Sequence, residues 1–169
     1  MHRPKLYRVG RNWRFASRAS SGVATHPSDE PRAVVQVYAA RAWSWQGIIA
    51  DHTWIATKQV GAEFYVVHEV VKWDSGVGAQ RDGFYERSIT ATPDRQWFSA
   101  PARLLYDMRL YDDSLVNRIT RLCDLYPHRH VYRAWPGPNS NTFTAHIIKS
   151  AAEIHCELPA RAIGKNFVL

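Results

Sequence analysis

The stretch IIADHTWIATKQVGAEFYVVHEVVKW, residues 48–73, decides the fold that the sequence predicts. It holds two runs rich in β-branched and aromatic residues, which indicate strands near residues 49–58 and 63–73. The short connection between them, QVGA at residues 59–62, contains a glycine and is typical of a hairpin turn. Two adjacent antiparallel strands therefore form the centre of the predicted sheet.

The hairpin also predicts a contact between two side chains. If Val60 and Gly61 form the turn, the register places His52 opposite Glu69. Opposed residues share a face of the sheet, with Cβ atoms about 4.5–5.5 Å apart, so this carboxylate could orient the imidazole. A slip of one residue would put His68 in place of Glu69, because side chains alternate between faces. The sequence leaves both registers open.

Three more strands and two helices complete the predicted domain. The strands are expected near residues 34–41, 84–90 and 129–134. The first helix follows an N-cap at Asp112 or Asp113, and its apolar residues recur at helical spacing: Leu115, Val116, Ile119, Leu122 and Cys123. The second helix begins near Ser140 and has one apolar face, formed by Phe143, Ile147 and Ile148. The predicted fold class is α+β, with a five-stranded antiparallel sheet packed on two main helices.

Composition indicates one globular domain. The chain has 169 residues, of which 46% are hydrophobic, and this is enough to bury a core without disulfides. The two cysteines, Cys123 and Cys156, are interpreted as free thiols. The sequence contains no run of 18 or more apolar residues, which excludes a membrane-spanning helix in the chain as given. The single domain is predicted to cover residues 33–169.

The net charge is concentrated in the first 32 residues. Residues 1–32 contain seven Lys or Arg against two acidic residues, and so carry +5 of the net charge of +7. We interpret this segment as a flexible basic arm and linker, which could contact the phosphates of a membrane surface. Nucleic acid is the less expected partner. A solvated tail is the ordinary alternative.

The stretch WPGPNSNTF, residues 135–143, has two interpretations. In the first, the prolines and glycine make a turn, and Asn139 or Ser140 caps the following helix. In the second, the helix start is part of an active site, because its N–H groups favour negative charge. A hydroxyl at Ser140, an imidazole at His52 and a carboxylate at Glu69 would supply the nucleophile, the base and the orienting group of covalent catalysis.

Several strings resemble a bacterial domain family of unknown function whose hallmark is WPGPNSNTF. They are SSGVATHP, AVVQVYAARAW, HTWIATK, PDRQWF, YPHRHVYRAWPGPNSNTF and LPARAIGKNF. More distantly, the order of a strand histidine and a late helix start resembles circularly permuted papain-like proteins of the LRAT, PPPDE and NlpC types. In those proteins the nucleophile is a cysteine within a string of the form Asn-Cys-Asn-His-Phe. The corresponding residue in NSNTF is Ser140.

The distant resemblance implies a permuted papain-like fold and a hydrolase or acyltransferase that acts on an amide or ester of a peptide or acyl substrate. Ser140 would be the nucleophile, and Asn139 or Asn141 would help the backbone to bind the oxyanion. Because serine lacks the acidity of a thiol, the alternative is a non-catalytic binding module that keeps a degenerate papain-like groove. A cytoplasmic or a membrane-associated location would suit such a bacterial domain.

Two tryptophans and a lysine are further binding candidates. Trp54 and Trp135 could line an apolar pocket for the substrate. Lys165 could place a cation near it, although a surface ion pair is the ordinary explanation. The sequence has no CxxC or HExxH spacing, so it predicts no metal site and no cofactor.

Overall fold

Five strands form one antiparallel sheet in the computed structural model of the chain, which describes residues 15–42, 49–72 and 83–168. The spatial order is β4-β3-β2-β1-β5. The bounds are Ala33–Arg41 (β1), Asp51–Lys58 (β2), Tyr65–Val71 (β3), Phe84–Thr90 (β4) and Arg103–Leu110 (β5). The central strand β2 is buried along its whole length, which agrees with its high content of β-branched and aromatic residues.

Four of the five predicted strands are confirmed, and the strand predicted at residues 129–134 is wrong. That segment leaves a turn at residues 127–130 and makes one backbone hydrogen bond to β4, from Tyr85 N to Arg129 O. The fifth strand is instead β5, RLLYDMRL, which pairs with β1 at the edge of the sheet. Its charged residues suit an edge strand, and its weak alternation gave no strand signal.

The β2–β3 hairpin has the predicted turn but a different register. Ala62 N donates to Gln59 O, and Gly61 has a φ of 67°, which glycine adopts easily. Glu63 and Phe64 then stay outside the ladder, so Ile55 pairs with His68. The register expected from the sequence is therefore wrong by two residues. Because side chains alternate with a period of two, the shift leaves every residue on its expected face.

The two predicted helices are confirmed as Ser114–Asp124 (α1) and Ser140–Ser150 (α2). Both pack on one face of the sheet, which we call the helix face. A single apolar core joins the helices to that face, and it includes Val35, Val37, Ile55 and Val70 from the strands and Leu115, Ile119, Phe143 and Ile147 from the helices. We call the other face the tryptophan face. Its separate cluster includes Tyr38, Trp54, Ala56, Val67, Trp97 and Phe98.

An N-terminal segment, residues 15–24, covers part of the tryptophan face. Its backbone pairs with the loop after β4: Ser21 N donates to Asp94 O, and Gln96 N donates to Ala19 O. The buried carboxylate of Asp94 accepts further hydrogen bonds from Ser20 Oγ and Val23 N. The packed domain therefore begins before residue 33, where the sequence placed its boundary. Residues 1–14 of the predicted arm lie outside the described residues.

Candidate functional site

Asn139 is the N-cap of α2. Its side-chain oxygen accepts hydrogen bonds from Asn141 N at 2.9 Å and Thr142 N at 3.2 Å. In return, Thr142 Oγ1 accepts from Asn139 N at 3.2 Å, which completes a capping box. Of the two candidate caps, the structure thus selects Asn139 and not Ser140. Two amide groups of the first turn, those of Asn141 and Thr142, are therefore already bound to the cap.

The remaining polar side chains of the helix start fasten it to its neighbours. Asn141 accepts from Thr53 Oγ1 at 2.9 Å and donates to Asp51 O at 2.9 Å, so it ties α2 to β2. Asn141 also donates to Ile163 O, and Asn139 Nδ2 donates to the same carbonyl oxygen. These bonds account for most of the hydrogen-bonding capacity concentrated in this turn. Asn139 and Asn141 are buried structural residues.

Ser140 is the first residue of α2, the helix that packs on the helix face of the sheet. It is 2% exposed, and its hydroxyl lies close to the phenol of Tyr132. Burial raises the pKa of Tyr132, and the nearby Ser140 hydroxyl offsets part of that rise. The serine hydroxyl therefore interacts with a neutral phenol, which is a poor base.

His52 and Glu69 meet on the tryptophan face. The His52 ring is 4% exposed, stacks on Trp97 at a centroid distance of 3.7 Å, and places Nε2 2.8 Å from Glu69 Oε2. Glu69 is fully buried and also forms an ion pair with Arg95. The guanidinium of Arg95 in turn lies over the rings of Trp54 and Trp97. His52 thus belongs to a buried network of charged and aromatic side chains.

Burial and charge set the protonation states of this network. Burial lowers the pKa of His52 more strongly than the hydrogen bond to Glu69 raises it. For Glu69, burial opposes ionisation, but Arg95 and His52 together hold the pKa below its usual range. At neutral pH we therefore expect an ionised Glu69 that accepts the Nε2–H of an uncharged His52.

The structure brings His52 to Glu69, and it places Ser140 at the start of α2. Thr53, the neighbour of His52 in β2, points to α2 and hydrogen-bonds Asn141. Because successive side chains point to opposite faces, His52 points away from α2. The imidazole stacks on Trp97 of the tryptophan face, whereas α2 packs on the helix face.

The two candidate binding tryptophans have opposite environments. Trp54 is fully buried, stacks on Tyr38 and donates its Nε1–H to Pro93 O at 2.9 Å, so it is a core residue. Trp135, by contrast, is 78% exposed. It stands at the start of the Pro-Gly-Pro turn, in which both X-Pro bonds are cis. Only Trp135 is placed to meet a ligand.

Trp135 lines an open groove of about 280 Å3 at the start of α2. The other residues lining it are Pro136, Ala160, Ala162, Ile163, Gly164, Lys165, Asn166 and Phe167. A second groove of about 190 Å3 adjoins it and shares Lys165, Asn166 and Phe167. The sequence did not predict the two grooves, because the segment 160–168 comes close to Trp135 only in the tertiary structure.

The described parts of the chain contain no cluster of three or more His, Cys, Asp or Glu side chains that could hold a metal ion. Within the same residues, no helix has the length and apolar character needed to cross a bilayer. Cys123 and Cys156 are free thiols, as predicted. Burial raises the pKa of both thiols, that of Cys156 to about 11, so neither is a ready nucleophile.

Comparison with known proteins gives one match. A family model described as "Protein of unknown function (DUF3750)" matches residues 32–167. No curated protein and no solved structure matches the chain at a significant level. The matched range includes all five strands, both helices and the groove beside Trp135.

Proposed function

Because the chain belongs to the DUF3750 family, whose description assigns no activity, we propose a function from its residues: it is a non-catalytic peptide-binding domain. In this proposal, the groove beside Trp135 takes an apolar side chain of an extended peptide. The start of α2 is also where permuted papain-like proteins hold their nucleophile, so the groove would be the degenerate form of such a site. The papain-like ancestry is part of the proposal.

The exposure of Trp135 carries the proposal. Tryptophan is one of the residues most enriched among those that dominate binding energy at protein interfaces. Here its ring stands beside a groove of about 280 Å3. Since a cavity of about 150 Å3 accommodates a benzene ring, the groove has room for an aromatic or branched aliphatic side chain. The prolines at 136 and 138 restrict the backbone around the ring, which lowers the entropy lost on binding.

The surroundings of Ser140 favour binding over catalysis. A serine nucleophile needs a base at about 2.6–3.2 Å from its hydroxyl. The Ser140 hydroxyl lies close to the uncharged phenol of Tyr132, and His52 stacks on Trp97 of the tryptophan face. The hydrolase or acyltransferase with Ser140, His52 and Glu69 remains the competing hypothesis. That hypothesis requires His52, and not Thr53, to point from β2 towards α2. Such a change would break the hydrogen bond between Thr53 and Asn141.

Binding of labelled peptides tests the proposal. We would titrate the protein into fluorescein-labelled six-residue peptide pools that have Leu or Phe fixed at one central position. Matched pools with Gly at that position serve as the reference. We expect the Leu and Phe pools to bind more tightly, and Trp135→Ala to weaken that binding roughly tenfold or more. The measurement is fluorescence anisotropy.

Tyr111→Ala is the matched control, because Tyr111 is also a strongly exposed aromatic residue and does not line either groove. This variant should bind like the wild type. Equal binding by Trp135→Ala, or no binding by any pool, would contradict the proposal. Covalent labelling of Ser140 by a fluorophosphonate probe, lost in His52→Ala, would favour the hydrolase instead.

A further inference from the structure

The second groove adds positive charge to the site of the proposed peptide. It runs along α2 and is lined by Thr142, Ala145, His146, Lys149, Lys165, Asn166, Phe167 and Val168. The described residues that line the two grooves include two lysines and no acidic residue. The shared residues Lys165, Asn166 and Phe167 make the grooves continuous. A ligand in the apolar groove thus has cations beside it.

Lys165 lies where the two grooves meet, and a hydrogen bond to the backbone fixes its side chain. Its Nζ donates one hydrogen bond to Leu158 O at 2.7 Å, which leaves two of its three N–H donors for other groups. Lys149 extends from the last turn of α2 and is exposed. Burial, His128 and Lys149 lower the pKa of His146, so its ring is uncharged at neutral pH. The two ammonium groups therefore supply the charge of this groove.

We propose that the two grooves together recognise a peptide in which a carboxylate lies next to the apolar side chain that packs on Trp135. The carboxylate is that of an Asp or Glu side chain, and it occupies the groove between Lys149 and Lys165. This inference rests on the proposed peptide-binding function and specifies its ligand. The described lining contains no Asp or Glu. The two lysines therefore attract the carboxylate of the peptide, and no carboxylate of the lining repels it.

Peptides that differ by one charge test the inference. Starting from a Leu- or Phe-containing sequence, we would compare versions with Asp, Asn or Lys at the position next to the apolar residue. We expect the Asp version to bind roughly fivefold to tenfold more tightly than the Asn version at low salt. This preference should shrink as the salt concentration rises, because exposed charges are screened. We would also compare the Asn version with a free C-terminus to the same peptide with an amidated C-terminus. This comparison tests whether a terminal carboxylate can take the place of the side-chain carboxylate.

Charge-removing variants locate the contact. Lys149→Gln and Lys165→Gln should each remove most of the Asp-over-Asn preference, measured as the ratio of the two affinities within the same variant. Lys72→Gln removes the same charge from an exposed lysine that lines neither groove, and should keep the preference. If all three variants retain the preference, or if the Asp and Asn versions bind equally, the inference is wrong. Trp135-dependent binding of the Asn version would in that case still support the peptide-binding function.

Discussion

Two histidines on neighbouring strands, His52 and His68, stay uncharged because both are buried. His68 lies on the helix face, where it is fully buried and hydrogen-bonded to Thr57 Oγ1 and the Tyr85 hydroxyl. Burial and the charge of Arg87 lower its pKa to about 3. A neutral imidazole accepts at one nitrogen, so one of these hydroxyls donates to the ring and would have to rotate to accept if the ring took up a proton.

This environment predicts how stability depends on pH. Since the folded pKa values of both histidines lie below the unfolded value of about 6.5, the unfolded chain binds more protons as the pH falls below that value. We expect the free energy of unfolding to fall, with a slope approaching about 1.4 kcal/mol per pH unit for each histidine. Urea unfolding at several pH values between 7.5 and 5 measures the slope. His68→Gln should be less stable at pH 7.5 but should show a shallower slope, and an unchanged slope would contradict the assignment.

At the scale of the element, the start of α2 depends on Asn139 more than on any other cap residue. Its side chain binds two amide groups of the helix and two carbonyl groups outside it, at Ala134 and Ile163. Gly164 lies so close that a Cβ there would approach Asn139 Nδ2 to 2.5 Å, and its φ of 94° also favours glycine. The polar string of the turn thus encodes a helix start that is joined to the C-terminal segment.

Replacing Asn139 should separate these two roles. Asn139→Ala removes the cap and the bond to Ala134 O, while Ile163 O keeps its bond from Asn141, so we expect a loss of about 1–3 kcal/mol in the free energy of unfolding. Asn139→Ser retains a cap oxygen and loses only the donors, so its loss should be clearly smaller. Urea unfolding of both variants measures the difference. Similar losses for Ser and Ala would mean that capping contributes little here.

At the scale of the whole molecule, Asp94 joins the N-terminal segment, residues 15–24, to the loop after β4 on the tryptophan face. Its carboxylate is fully buried and accepts from Ser20 Oγ, Val23 N and Ala24 N. These bonds hold residues 15–24 against the loop after β4. Ser99 Oγ and Ser21 Oγ each accept one further bond, from Ser17 N and Ala102 N, so Asp94 supplies the largest share of the side-chain bonds of this segment.

Asp94→Ala should therefore release the N-terminal segment without unfolding the sheet. We expect trypsin to cleave after Arg18 roughly tenfold faster than in the wild type, because the local opening that cleavage requires costs less free energy. Mass spectrometry of a timed digestion identifies the cut. Asp124→Ala, a change at an exposed position near the end of α1, is the control and should digest like the wild type. An unchanged rate after Arg18 in Asp94→Ala would show that other contacts hold the segment.

The extent of sequence-based prediction differs between fold and site. Strands β1 to β4 and both helices follow from local patterns, and so does the turn at Val60 and Gly61. Strand β5 escaped prediction because its pairing with β1 joins residues far apart in the chain. The groove beside Trp135 escaped prediction for the same reason, since its second wall is the segment 160–168.

By itself, the sequence determined the local structure and the alternation of side chains, because both depend on residues close in the chain. It left open whether Glu69 or His68 shares the face of His52, and the structure, whose register differs by two residues, selects Glu69. Only the tertiary structure decided which face α2 covers, and with it that Asn141 bonds to Thr53, on the face opposite His52. The alternation of side chains along a strand shows which residues share a face of the sheet. Which of the two faces α2 covers depends on the packing of residues far apart in the chain. The same packing buried Trp54 and left Trp135 exposed.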